Sequence, residues 1–125
     1  MDIEAALRLV LASTGPDRQL DGEIARAVGW SRRTEPVKDV AGSTSLKTTW
    51  YLPDSEDIGR LPFYTTNLQA AYELFEQLCP NRSAGVSWGD GYASAEVSEG
   101  SVIERAATPA LALCALALTE HSGTK

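Results

Sequence analysis

The residues best suited to chemistry lie together at positions 60–67, just ahead of a strongly amphipathic stretch. Arg60, Tyr64, Thr65, Thr66 and Asn67 fall where a helix start is predicted, and the N–H groups and dipole of a helix start favour an anion. Thr65, Thr66 and Asn67 add hydrogen-bonding side chains. Phe63 and Tyr64 offer aromatic faces to a base, and Arg60 offers a cation to a phosphate. Trp88, on a predicted strand, is a second stacking surface. Together these residues suit capture of a phosphorylated small molecule by the N–H groups of residues 66–68. A plainer reading uses the same residues: Thr66 caps the helix, Pro62 stiffens its entry, and Phe63 and Tyr64 pack inside. Arg32-Arg33 offers a further cationic pair that a mobile loop could close over a phosphate.

Bond-breaking chemistry has less to work with. A hydrolytic nucleophile needs a base beside it, and the one histidine, His121, falls in a tail (residues 121–125) expected to fray. One histidine and two cysteines do not make a common zinc site. Cys79 and Cys114 fall on apolar helical faces, where free cysteine acts as a small hydrophobe. Asp54, Glu56 and Asp57, and the pair Glu96 and Glu99, read as solvated acidic turns rather than metal ligands. Gly89-Asp90-Gly91 is too short for a phosphate loop and reads as a hairpin turn. No catalytic activity, metal or cofactor is therefore expected.

The elements that must position these residues are legible from caps and periodicity. Asp2 opens a helix to about Ala12 with Ile3, Ala6, Leu7, Val10 and Leu11 on one stripe, and Gly15-Pro16 breaks it. Asp17 opens a second helix with Leu20, Ile24, Ala27 and Val28 inward. It ends at Gly29, with Trp30 folding back. Residues 31–47 lack periodicity and read as a flexible loop. Residues 48–52 read as a strand. Thr66 through Gln69 match a capping box, and Leu68, Ala71, Tyr72, Phe75, Leu78 and Cys79 form the stripe of a third helix stopped by Pro80. Residues 86–88 and 92–97 read as a hairpin, with a further edge segment at 102–103. Thr108-Pro109 caps a last helix over residues 110–119 that is apolar all round and must be buried.

The whole is one domain over residues 1–125, of mixed α/β (α+β) class: a three-layer α-β-α sandwich around a small, mainly antiparallel sheet. The 43% hydrophobic content supports one core. A net charge of −6 argues against duplex nucleic acid or an anionic membrane as partner. The N-terminal residues do not form a secretory signal, and no apolar run approaches a membrane span, so the expected location is the cytosol.

Residues 15–30, 61–71 and 107–118, in that order, resemble the phage ABA-sandwich domain family of bacteriophages and prophages. The resemblance implies a sheet between helical layers and brings no reaction and no catalytic residues. A phage origin implies a counter-defence role, with a nucleotide immune signal of the host cell as the sequestered ligand. The expected partners are a phosphorylated small molecule and further copies of the chain. The alternative is a non-catalytic accessory or protein-interaction domain without a small-molecule site.

Overall fold

The structure is a computed structural model and describes residues 2–98 and 103–123. Helix α1 (Ile3–Ala12) starts as its cap predicts: the Asp2 carboxylate accepts from the Ala5 N–H at 2.7 Å. Helix α2 (Arg18–Ala27) starts at Asp17, whose carboxylate accepts from the Gln19 and Leu20 N–H groups. It ends in a Schellman motif. Gly29 takes φ 112°, its N–H donates to the Arg26 carbonyl, and the Trp30 N–H reaches back to Ala25 at 2.9 Å. Trp30 then packs against the core.

Residues 31–47 are not a loop. Strands β1 (Ser31–Lys38) and β2 (Thr44–Tyr51) form an antiparallel ribbon with Arg32 opposite Trp50 and Glu35 opposite Lys47. The Asp39 carboxylate closes its turn by accepting from the Ala41 and Ser43 N–H groups. Both faces of the ribbon are exposed through Thr48, so no buried face imposes alternation on the sequence. Pro36 is tolerated because β1 is an edge strand. The strand read at residues 48–52 therefore begins earlier, at Thr44. The acidic turn at residues 54–57 leads into β3 (Ile58–Gly59), which pairs with Trp50 and Tyr51.

Helix α3 (Leu68–Leu78) starts one residue later than the capping box indicates. Asn67, not Thr66, is the cap, its Oδ1 accepting from Gln69 at 2.8 Å and Ala70 at 3.2 Å. The buried face is Ala71, Leu74 and Phe75, while Leu68 and Tyr72, expected inside, are 43% and 50% exposed. Strands β4 (Ala84–Gly89) and β5 (Tyr92–Val97) form the expected hairpin. Its two-residue turn, Asp90-Gly91, has φ 39° and 86°, as a type I′ turn requires. Strand β6 (Ile103–Ala106) pairs with β5. Of the edge segment read at residues 102–103, Ile103 opens β6 and Val102 lies outside the described residues.

Helix α4 (Pro109–Gly123) is capped by the Thr108 hydroxyl, which accepts from the Leu111 N–H at 3.2 Å. Every residue of 110–118 is at most 5% exposed. The helix continues past Thr119, so His121 is helical and half-buried rather than in a frayed tail. Helices α1 and α3 and the β4–β5–β6 sheet all pack against α4. The sheet presents Ala93, Ala95, Val97 and Ala106, small side chains that let it approach closely. The mixed α+β class with antiparallel strands is as expected. The strands divide into two three-stranded sheets, β1–β2–β3 and β4–β5–β6. Among the described residues no helix is long and apolar enough to cross a membrane.

Candidate functional site

Four elements meet around a cavity of about 590 Å³: the start of α2, strands β1 and β2, and the segment running from β3 to Leu61. Its lining includes Arg18, Arg32, Lys47, Arg60, Thr48, Thr49 and Trp50. The chain carries 11 Lys and Arg against 17 Asp and Glu, yet four cations and no carboxylate stand among the described lining residues. That imbalance is the opposite of the surface average. A multiply charged anion placed there meets attraction from several directions, stronger at a partly desolvated site than in bulk water.

The local sequence explains how each cation is held. Arg32 and Trp50 face each other across the β1–β2 ribbon, with the guanidinium 5.7 Å from the indole centroid. The outer ring carbons of Trp50 reach close to α2 at Gly22; a Cβ there would stand 3.2 Å from the indole. Arg60 follows β3 directly and is exposed. Arg18 is the most constrained. Its guanidinium donates to the Leu61 carbonyl at 2.7 Å, to Pro62 at 2.9 Å and to the Asp21 carboxylate at 3.0 Å, and it stacks 3.8 Å from the Phe63 centroid. Arg18 therefore shapes the cavity wall, and Arg32 and Arg60 supply most of the charge, while Lys47, opposite Glu35, sits on the other face of the ribbon from Trp50.

Behind Arg18 lies a buried polar network. Asp21 and Thr65 are both fully buried. Asp21 Oδ1 accepts from the Thr65 N–H and hydroxyl, each at 2.8 Å, and the Thr65 hydroxyl accepts from the Asp17 N–H at 2.9 Å. This network ties the first turn of α2 to residues 61–65 and so fixes both walls of the cavity.

The expected site residues thus separate. Arg60 lines the cavity. Thr65 supports it from behind. Tyr64 is 3% exposed, and burial pushes its phenol well above the ordinary range, so it is a core residue and not a stacking platform. Thr66 and Asn67 belong to the turn and cap of α3, and their N–H groups donate to the Phe63 carbonyl at 3.2 and 2.9 Å, so they do not await an anion. Trp88 sits on β4, 71% exposed, outside the lining of this cavity. Arg32, read as part of a mobile loop, is instead carried on a strand.

The sequence reading missed the Arg18–Asp21–Thr65 network. A signal existed: Asp21 lies three residues before Ile24 and seven before Val28, a carboxylate on an apolar stripe. The expectation that the chain holds no Gly-x-Ser-x-Gly nucleophile pattern is also wrong, since Gly85-Val86-Ser87-Trp88-Gly89 spells it. That pattern requires a sharp strand-to-helix turn. Here it is the extended strand β4, and the Ser87 hydroxyl pairs with Ser94 at 3.0 Å.

A second cavity of about 660 Å³ sits at the α1–α2 turn and includes Ser13, Asp17 and Glu23 in its lining. Its lining carries carboxylates and no cation, so it does not suit an anion. Among the described residues no group of three or more His, Cys, Asp or Glu is placed to hold a metal.

The cysteines are chemically quiet. Burial pushes the Cys114 thiol far up, and Cys79 is raised for the same reason. Folding thus holds Tyr64 and Cys114 neutral, and the stabilisation is complete below their ordinary values of 10.0 and 9.0. The unfolded chain ionises above those values, so stability is expected to fall as pH rises through and beyond them. Denaturant titrations at stepped alkaline pH check this; Cys114→Ala should flatten the earlier part of the decline, and a flat profile in the parent protein contradicts it.

No protein-family model matches the chain, and neither a curated protein nor a solved structure matches it.

Proposed function

We propose that the chain binds a small phosphorylated ligand of nucleotide type in the cavity between α2 and β2, and releases it unchanged. The observation that carries this reading is the lining itself: Arg32 and Arg60 beside Trp50, with no carboxylate among the described lining residues, in a protein of net charge −6. The cations suit phosphate oxygens, and the indole suits a base face. The cavity volume is within the range of small-molecule sites.

Turnover has no support in the same lining. Thr48 and Thr49 are its hydroxyls, and no His, Asp or Glu stands among its described residues to take a proton. Binding without reaction amounts to sequestration. With the phage resemblance, the ligand becomes a nucleotide signal of host immunity and the role becomes counter-defence.

Calorimetry against cyclic nucleotides, nucleoside diphosphates and ADP-ribose-like compounds, with the matching nucleosides as controls, tests the proposal. Phosphorylated members should bind, weaken as salt rises, and return chemically intact. Arg60→Ala and Arg32→Ala should each weaken binding by roughly 10- to 150-fold, about 1.5–3 kcal/mol for a hydrogen bond to a charged group, with no change in the far-ultraviolet circular dichroism. Absence of heat with every phosphorylated member would sink the proposal and favour the protein-interaction alternative. Conversion of a bound member would make the chain an enzyme.

A further inference from the structure

We infer that β4 pairs with β4 of a second copy, giving a two-fold dimer in which Trp88 of each chain fills a groove on the other.

The groove, about 600 Å³, runs between α3 and β4. Phe75 and Leu113 form its floor, Leu68 and Tyr72 stand on the α3 side and Ala84 and Val86 on the β4 side, with Gln69, Glu76, Arg82 and Ser83 also in the lining. Leu68 and Tyr72 are the residues that the α3 stripe expected inside, and they are exposed here. Trp88 is 71% exposed. It shares a face with Val86, because Trp88 lies opposite Ala93 and Val86 opposite Ala95, and both alanines are buried under the sheet.

Strand β4 is also an open edge, with β5 on its other side. Its six residues, Ala-Gly-Val-Ser-Trp-Gly, carry no charge and no proline, the devices that usually block edge pairing. The two-residue turn sets which groups face outward. Gly89 and Tyr92 flank the turn and exchange both backbone bonds, so Gly89, Ser87 and Gly85 point toward β5. Trp88, Val86 and Ala84 then present their N–H and C=O groups to the open edge.

These constraints select a register. A two-fold axis perpendicular to the sheet keeps both helical layers on one side, and the fullest pairing of outward groups places the axis at Val86. Ala84 then lies opposite Trp88 of the second copy, and about six backbone hydrogen bonds form. The same axis sets Trp88 of each chain beside the wall of the other's groove. It also brings Arg82, which pairs with Glu120 at 3.3 Å within its own chain, opposite Asp90 of the second copy at both ends. Backbone direction alone fixes this register, and the charges match in it. Two tryptophans at roughly 150–250 Å² each, an equal area of groove and the strand edges bury on the order of 1,000 Å², the lower limit for a specific interface and consistent with a dimer that dissociates on dilution.

Sedimentation equilibrium over a concentration series is the test. The expected mass is twice 13.4 kDa, falling to the monomer on dilution. Trp88→Lys and Ala84→Lys replace exposed residues, so both should fold as the parent does by circular dichroism. Both should be monomeric throughout the series. A parent protein that stays monomeric at every concentration overturns the inference, as does a dimer that both lysine variants leave intact. Neither variant touches the α2–β2 cavity, so ligand binding by these monomers reports on the other proposal separately.

Discussion

Leu116→Ala is expected to destabilise the protein by about 2–5 kcal/mol, the range for truncating a buried leucine. Leu116 is 0% exposed at the middle of α4, between layers that cannot all collapse into the space its side chain leaves. Against a total stability of roughly 5–15 kcal/mol for a domain, that is a large share. Leu113→Ala should fall at the lower end, because Leu113 floors the open α3–β4 groove and its neighbours can relax. Urea unfolding curves measure both. If the two variants unfold with the parent, α4 is not the core of the fold.

Asp21→Ala is expected to cost about 3–5 kcal/mol, the range for removing one partner of a buried ion pair. The loss leaves the buried Thr65 N–H and hydroxyl without their 2.8 Å acceptor and releases Arg18 from its carboxylate. Arg18 is 45% exposed, so its own charge can find water, and the lower end of the range is favoured. Asp21→Asn keeps an oxygen for Thr65 and should cost less. The order Ala worse than Asn, read from denaturant midpoints, is the decisive result. Equal costs would mean that the pairing with Arg18, rather than Thr65, carries the stability. The Ala variant should also lose affinity for any cavity ligand, since Arg18 and residues 61–65 form the walls that Asp21 fixes.

The helices were the legible part of this chain because their signals are local. Asp2, Asp17 and Thr108 each cap where their side-chain chemistry says they should. The misplaced start of α3 comes from two adjacent cap residues. Thr66 has Gln69 at the capping-box distance, but Asn67 satisfies two amides with one oxygen and takes the position. The inward face is set separately, by packing against α4: Leu74 is buried, and Leu68 and Tyr72 stand in solvent. Strand β1 was illegible for a different reason. Alternation records a buried face, and residues 31–38 have none. The cavity was half legible. Arg60 and the pair at 32–33 stood out by type, but what brings them together is a ribbon pairing and the Gly22–Trp50 contact, which join residues far apart in sequence. Thr65 and Tyr64 were singled out for chemistry because they are polar and aromatic beside a helix start. The fold uses one as a buried acceptor-donor and the other as core.

The position of α4 in the chain has a consequence for biosynthesis. The element against which α1, α3 and the second sheet all pack is the last described element in chain order. While the ribosome works through the first hundred or so residues, the emerging chain has apolar faces on α1 and α3 and nothing to close them on. Those faces can close only after α4 itself has cleared the exit tunnel. Any early stop codon within α4 should give a product that is degraded rather than one that is merely weakened.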